Sequence, residues 1–213
     1  MYNLRVDEAT FCILDLETTS LSPETGEIIE IAAIKYQGNL VTNKFSTLIK
    51  PDIEFIPPKI TALTGISTAM VIDQPKITDI FEDFLKFVGD SIIVAHNAKF
   101  DMSFLNYKSK ELYGKNLKNP VLCTCNLSRR LFPELKSKSL PSMAYYFNIP
   151  FNQKHRAMSD AEATLEIFKK MMEILQDYNI NRVIDIIKLA ERKNTSQSEK
   201  RRKYVQGRNY WSR

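Results

Sequence analysis

One apolar stretch that ends in two acids, residues 11–19, constrains this chain more than any other part of its sequence. It reads Phe-Cys-Ile-Leu-Asp-Leu-Glu-Thr-Thr, and its four leading apolar residues predict a strand that is buried on both faces. Asp15 and Glu17 lie two residues apart, so both carboxylates point to the same side of that strand. Two adjacent carboxylates repel each other and resist burial, which a divalent cation would relieve. A strand that simply ends in solvent would also explain Asp-x-Glu, because so short a motif is common.

Apolar periodicity along the rest of the chain predicts strands first, and then strands that alternate with helices. Short connections join the first strand, 10–16, to strands at 28–36 and 42–50, which favours antiparallel pairing of the three. Helical spacing of apolar residues predicts one helix that ends near Gly89 and a longer one that starts near Ser159. Shorter strands are predicted at 91–95 and 121–124, and further helices at 59–63, around 100–107, 126–131, 140–147 and 180–190. This order predicts a mixed sheet with helices on its faces.

Length and charge divide the chain into three predicted parts. The 213 residues allow one domain at 1–177, a helical extension at 178–193 and a basic tail at 194–213. Residues 191–213 hold eight Lys/Arg and two acids, so the positive charge of the chain is concentrated at this end. The tail has almost no aliphatic residues, which predicts a flexible, solvated segment. Its mixture of basic and aromatic side chains would also suit contact with nucleic acid, which is the second interpretation.

Composition disfavours several other classes of protein. No apolar run approaches the roughly 20 residues that a membrane-spanning helix needs, and the polar N-terminal residues lack the apolar core of a secretory signal. We therefore expect a cytoplasmic protein with no membrane partner. The cysteines, Cys12, Cys123 and Cys125, do not have the paired spacing of a zinc site, so we expect them to be structural.

Two further acidic motifs follow at a distance from the first. Residues 97–101, Asn-Ala-Lys-Phe-Asp, begin a predicted helix, and residues 155–160, His-Arg-Ala-Met-Ser-Asp, lead into the long C-terminal helix. Taken singly, Asp101 and Asp160 are ordinary partners for a helix N-terminus. A lone histidine such as His155 is more often a surface or packing residue than a catalyst. The three motifs therefore indicate a functional site only when they are considered together.

In order and spacing, the three motifs resemble those of the DEDD family of 3′–5′ exonucleases, whose members include the proofreading epsilon subunit of bacterial DNA polymerase III. The resemblance covers residues 8–175. His155 precedes Asp160 by five residues, as in the histidine subclass, whereas the tyrosine subclass has a Tyr at the position of Arg156. The resemblance implies an αβα, ribonuclease H-like fold with a mixed sheet whose first three strands are antiparallel.

The resemblance also implies a site made of four acids and one histidine. Asp15 would bridge two Mg²⁺ or Mn²⁺ ions, Glu17 and Asp160 would complete the site of the first ion, and Asp101 would serve the second, directly or through water. Two such ions about 3.5–4 Å apart can hold the attacking and leaving oxygens of a phosphodiester in line. His155 would be the general base, because histidine side chains titrate near pH 6.5, about where a proton acceptor works at neutral pH.

Residues beside the acids are implied to contact the 3′-terminal nucleotide. Thr64, within Leu-Thr-Gly-Ile at 63–66, would touch the sugar or the base, and Leu16 and Thr18 would present backbone atoms and a wedge. A helix C-terminus capped by glycine explains the Thr-Gly pair equally well. His96, just before the second acidic motif, is expected to order that loop rather than to catalyse.

Three functions are compatible with these residues. The first is a metal-dependent 3′–5′ exonuclease that releases nucleoside monophosphates from a single-stranded or frayed 3′ end of DNA, in replication proofreading or repair. The second is a 3′–5′ exoribonuclease, which would use the same catalytic residues. The third is a non-catalytic polymerase-associated or nucleic-acid-binding module, which the complete set of five residues disfavours. By the same resemblance, residues 176–213 are a candidate segment for docking on a DNA polymerase subunit.

Overall fold

A five-stranded mixed sheet lies at the centre of the fold in the computed structural model, which describes residues 3–151 and 155–192. The strands are β1 (Thr10–Thr18), β2 (Ile28–Gln37), β3 (Leu40–Leu48), β4 (Ile92–Ala95) and β5 (Val121–Cys123). They lie in the order β3-β2-β1-β4-β5, with β1, β2 and β3 antiparallel and β1, β4 and β5 mutually parallel. The prediction of a mixed sheet with three antiparallel leading strands is confirmed.

Helices connect and cover the strands. They are α1 (Pro58–Thr64), α2 (Thr68–Val71), α3 (Ile77–Val88), α4 (Lys99–Tyr113), α5 (Thr124–Leu131), α6 (Leu140–Tyr146), α7 (Ala157–Asp177) and α8 (Val183–Glu191). Helix α2 has four residues, too few for a periodic pattern, and was not predicted from the sequence. Helix α7 begins two residues before Ser159 because the Ala157 N–H donates to the Glu30 carboxylate at 2.9 Å, a partner that is distant in sequence.

Side-chain alternation along β1 divides the core into two layers. Phe11 and Ile13 pack with α5–α8 on one face of the sheet, whereas Cys12 and Leu14 pack with α3 and α4 on the other. All four side chains are 2% exposed or less, so the predicted burial on both faces is confirmed. Continued alternation would direct the next two odd-numbered side chains, both acids, to the face covered by α7.

The C-terminal helix α8 joins the first of these layers. Its buried residues Val183, Ile186, Ile187 and Ala190 pack in the same apolar cluster as α5 and α7. The division of the chain at residues 177 and 193 stays a prediction, and the tail at 194–213 lies outside the described residues. Among the described residues, no helix combines the length and the apolar character that crossing a bilayer requires.

Candidate active site

The predicted acids meet at the carboxyl ends of the parallel strands β1 and β4. Asp15 and Glu17 lie near the end of β1, and Asp101 lies in the first turn of α4, directly after β4. The parallel pairing of β1 with β4 stops at Ile13. Further along β1, the backbone N–H of Leu16 faces the Asp101 carboxylate, and together with the Asp101 N–H it lowers the pKa of this acid against the larger effect of burial. The influence of Leu16 on this pKa indicates that Asp101 lies beside the end of β1.

The start of α7 brings the remaining two predicted residues to the same place. Possible ligand atoms of Glu17, His155 and Asp160 all lie within 4.8 Å of one another. The backbone N–H of His155 also lies near the Asp160 carboxylate and lowers its pKa against the larger effect of burial. His155 has a φ of 59°, in the left-handed region that non-glycine residues rarely adopt and that commonly marks a functional constraint. This turn directs the imidazole towards the two carboxylates.

Burial and mutual repulsion disfavour negative charge on these acids. Burial, followed by the charges of Asp101, Asp160, Glu17 and Glu30, raises the pKa of Asp15 well above its usual range. Burial is also the main cause that raises the pKa of Glu17 to about 8, and those of Asp101 and Asp160 to about 7. A group of carboxylates in this condition needs a cation to be fully ionised at neutral pH.

The donor set fits a hard divalent cation. The Oδ1 atom of Asp160 is buried and has no hydrogen-bond partner among residues 3–151 and 155–192. An unpartnered buried carboxylate oxygen is costly unless it binds a cation, and Mg²⁺ and Mn²⁺ prefer oxygen ligands. Glu17, Asp160 and His155 present possible ligand atoms close enough to share one such ion, and Asp15 and Asp101 lie beside them. Their individual roles as ligands stay predictions.

A partly buried ion pair beside this group was missed in the sequence. Glu30 pairs directly across the β1–β2 ladder with Glu17 and is 3% exposed. Its carboxylate accepts hydrogen bonds from Nε and Nη2 of Arg156 and from the Ala157 N–H. The sequence contains a signal for this pair, because Glu30 interrupts an apolar run at 28–34 and a buried acid requires a partner.

The three residues predicted to contact the terminal nucleotide are largely enclosed. Leu16 packs in the second core layer, and the Thr18 hydroxyl donates to the Ser20 carbonyl at 2.7 Å. Thr64 is 3% exposed, and its hydroxyl donates to the Ile60 carbonyl and accepts from the Ile66 N–H. Gly65 follows with a φ of 72° and caps α1, as expected if the Thr-Gly pair forms a helix C-terminus. Contact of these side chains with substrate stays a prediction.

His96 lies near the site but binds other protein groups. Its Nδ1 is 2.9 Å from the Thr124 hydroxyl, and its Nε2 is 2.7 Å from the Lys138 carbonyl oxygen. Burial lowers the pKa of His96 to about 4, so the ring is neutral at physiological pH. It therefore connects the loop before α4 to the segment between α5 and α6, in agreement with the expectation that it orders a loop.

With this geometry in place, comparison with known proteins identifies the family. The family model described as Exonuclease matches residues 12–168, which span β1 to α7 and all three acidic motifs. This chain belongs to that exonuclease family. The predicted enzyme class, a 3′–5′ exonuclease resembling the epsilon subunit, is confirmed by this match and by the relatives below, and the family implies dependence on a divalent cation.

Two curated relatives are similar over most of this chain. DNA polymerase III subunit epsilon of Aquifex aeolicus (strain VF5) is 45% identical over 168 residues, which are 79% of this chain and 83% of the relative. DNA polymerase III PolC-type of Caldanaerobacter subterraneus subsp. tengcongensis is 44% identical over 179 residues, which are 84% of this chain and 13% of that protein. The chain thus spans most of the first relative and a small part of the second.

Solved structures confirm the ribonuclease H-like exonuclease fold. Exonuclease X in complex with 5′ overhanging duplex DNA is 28% identical, with a TM-score of 0.66 over 83% of this chain and 99% of that one. E. coli Exonuclease I in complex with a dT13 oligonucleotide has a TM-score of 0.67 at 21% identity, over 80% of this chain and 43% of that one, and supports the fold alone.

Proposed function

We propose that this exonuclease removes nucleotides one at a time from the 3′ end of DNA, releasing nucleoside 5′-monophosphates, in replication proofreading or repair. The observation that carries the proposal is the convergence of Glu17, His155 and Asp160 with the buried Asp15 and Asp101 at one edge of the sheet. The similarity to an epsilon subunit and to PolC-type polymerases favours DNA over RNA as the substrate.

The reaction is hydrolysis of the last phosphodiester bond of the strand. The oxygen of a water molecule bonds to phosphorus, and the bond from phosphorus to the 3′ oxygen of the preceding nucleotide breaks. The attacking water gives up a proton as it bonds, and His155 would accept it; the closeness of its imidazole to Glu17 and Asp160 supports this role. The leaving 3′ oxygen takes up a proton from solvent, so the shortened strand ends in a 3′ hydroxyl and the released nucleotide keeps the phosphate.

The four carboxylates would hold two Mg²⁺ or Mn²⁺ ions, with Asp15 as the shared ligand. Glu17 and Asp160 would bind one ion, and Asp101 the other, as the family resemblance implies. When bound, such ions supply neutralisation of the negative charge on the phosphodiester in the transition state. The raised pKa values of these acids support this assignment, because bound divalent cations would stabilise the ionised carboxylates that burial and mutual repulsion disfavour.

The deciding experiment is a product assay on matched single strands of DNA and RNA that carry a 5′ label. We expect DNA to be shortened from its 3′ end with release of mononucleotide in Mg²⁺ or Mn²⁺, and no reaction in EDTA. Asp15→Ala should abolish shortening while the protein stays folded, because removal of one of several crowded acids relieves repulsion. Asp73→Ala, which removes an exposed acid from the loop before α3, is the matched control and should retain full activity.

Each failure of this assay has a separate meaning. Faster shortening of RNA than of DNA would replace the proposed substrate with RNA. Wild-type protein that releases no nucleotide from either strand in Mn²⁺ would reject the enzymatic proposal. Full activity of Asp15→Ala would reject the assignment of the site.

Association with a DNA polymerase subunit through residues 176–213 is a further proposal, supported by the epsilon-type relative and tested by co-purification with the polymerase before and after deletion of 194–213.

A further inference from the structure

A cavity of about 730 Å³ opens beside the acidic cluster. Its lining includes Asp160 and His155 from the candidate active site and residues of the His96–Asn97 loop. The remaining wall comes from the end of α5, the segment at 132–139 and the start of α6. That wall carries three cationic side chains, Arg129, Lys136 and Lys138, which we call the basic wall. The cavity is therefore lined by the Asp160 carboxylate of the candidate active site and by three cationic side chains.

Among residues 3–151 and 155–192, the basic wall has no acidic partner. In the described part of the chain, none of the three cations lies within 4.0 Å of a carboxylate; Arg129 contacts the Asn126 side chain, and the Lys138 ammonium donates to the Leu135 carbonyl. Other cations do find acids, as Lys86 and Lys169 do on α3 and α7. Lys136 and Arg129 are exposed, and Lys138 is half-buried. The wall thus presents positive charge that the described residues do not neutralise with an ion pair.

The segment that carries the lysines is held in place on both sides. The neutral His96 ring donates from Nε2 to the Lys138 carbonyl at 2.7 Å, so its Nδ1 accepts from Thr124, which begins α5. On the far side, Ser139 caps α6, and its hydroxyl lies 2.8 Å from that of Ser142. Positive charge on a fixed segment binds an anion at a smaller entropic cost than charge on a freely moving loop.

The basic wall lies beside the acids, where its positive charge would offset their repulsion of a nucleic-acid strand. A nucleic-acid strand that approaches Asp15, Glu17, Asp101 and Asp160 meets like charge, and a row of cations along the approach offsets that repulsion. We propose that Arg129, Lys136 and Lys138 bind phosphodiester groups of the strand being degraded, upstream of the bond that is cut. The inference rests on the proposed function, and it names the backbone chemistry that DNA and RNA share.

The first test measures binding without hydrolysis. Affinity for a fluorescent single-stranded oligonucleotide is measured in EDTA, from about 50 to 200 mM salt, for wild type, Lys136→Gln, Lys138→Gln and the triple variant with Arg129→Gln. We expect the slope of log affinity against log salt to fall by about 0.7 for each phosphate group that a variant no longer binds. Lys110→Gln, which removes an exposed lysine near the far end of α4, is the matched control and should keep the wild-type slope.

The second test compares two substrates in Mn²⁺. The p-nitrophenyl ester of thymidine 5′-monophosphate has a cleavable phosphodiester and no upstream phosphate, whereas an oligonucleotide has both. The ratio of kcat/KM for the oligonucleotide to kcat/KM for the ester should fall about three- to tenfold per lysine removed, and should be constant in Lys110→Gln.

The two tests separate this inference from the proposed function. Wild-type salt slopes and substrate ratios in the triple variant would overturn the inference, with the enzyme still active. Such a result would instead favour an acidic protein partner as the group that binds the basic wall. Protein that cleaves neither substrate would overturn the proposed function, and the salt slope in EDTA would still decide whether the wall binds the strand.

Discussion

Glu30 and Arg156, 126 residues apart in sequence, form an ion pair beside the candidate active site. Nη2 of Arg156 lies 2.9 Å from Oε1 of Glu30, and Nε lies 3.2 Å from Oε2. The Glu30 side chain is 4% exposed and that of Arg156 is 37% exposed. Glu30 also binds the Ala157 N–H, so β2 fixes the two residues that directly follow His155. The position of the proposed general base therefore depends on a strand that contributes no ligand.

Replacement of Glu30 by Gln should lower both stability and turnover. The change keeps the shape of the side chain and removes the charge that Arg156 requires. We expect the free energy of unfolding to fall by about 1–3 kcal/mol, less than for a fully enclosed pair because Arg156 is partly solvated. The value of kcat should fall more than KM changes, because His155 loses its anchor. Urea denaturation and steady-state kinetics measure the two effects.

A matched control for Glu30→Gln is Lys44→Gln. Lys44 and Glu162 form an ion pair of 2.6 Å, also between a strand and α7, in which both side chains are half-exposed. Its loss should change the free energy of unfolding by less than about 1 kcal/mol and leave kcat unaltered. Equal stability losses in the two variants would show that the Glu30–Arg156 pair has no special role.

Stability of the metal-free protein should decrease as pH rises. Burial raises the pKa of Glu17 to about 8 and that of Asp160 to about 7 in the folded protein, whereas both acids titrate near pH 4 when unfolded, about their usual value. Between about pH 4 and 8 the folded state therefore binds more protons than the unfolded state, which lowers the free energy of unfolding as pH increases. Thermal denaturation in EDTA across this range measures the decrease.

Divalent cations should reverse that loss. Mg²⁺ or Mn²⁺ binds the ionised carboxylates of the folded state, so the increase in melting temperature on adding metal should be largest near pH 8, about where Glu17 loses its proton. Asp160→Asn removes one of the crowded charges and should reduce both the pH dependence in EDTA and the response to metal. A metal-induced increase that is the same at every pH would contradict the charge state assigned to the cluster.

Much of the fold was predictable because local patterns and tertiary packing agree. The four apolar residues at 11–14 are buried on both faces of β1, and the heptad-like stripe at 77–88 forms α3. The sequence predicts the start of α7 two residues too late, because Glu30, which accepts the hydrogen bond from its first N–H, lies on another element. Helix α2 was missed because four residues carry no period.

The candidate site likewise contains residues that the sequence predicts and residues that it does not. Asp15, Glu17, Asp101, His155 and Asp160 lie in motifs of fixed spacing, and the structure brings them to one edge of the sheet. The basic wall carries no comparable motif, because Arg129 and Lys138 belong to different elements and share a cavity only after folding. Lysines in a polar segment are common, and their significance depends on the acids that folding places opposite them.

His155→Gln should abolish most turnover without unfolding the protein. Loss of a general base lowers rates by about 100- to 10,000-fold. With Mn²⁺ saturating, the decrease of kcat on the acidic side of the pH–rate profile should disappear, because no imidazole remains to be protonated. His96→Asn is the comparison, since His96 binds Thr124 and Lys138 and touches no acid of the cluster. It should lower stability and keep the acidic limb, and a His155→Gln profile that keeps this limb would assign the proton acceptor elsewhere.

Thr64→Val separates the two roles open to the end of α1. The Thr64 hydroxyl donates to the Ile60 carbonyl at 2.9 Å and accepts from the Ile66 N–H at 3.1 Å, within a buried site. Valine has nearly the same shape and leaves the Ile66 N–H unpaired, so the free energy of unfolding should fall by about 1–3 kcal/mol. Thr61→Val on the same helix is the control and should change stability by less than about 0.5 kcal/mol, because the Thr61 hydroxyl makes no hydrogen bond within the described chain. Stability equal to that control would reject the capping role, and a severalfold increase in KM for DNA with wild-type kcat would add the predicted contact with the terminal nucleotide.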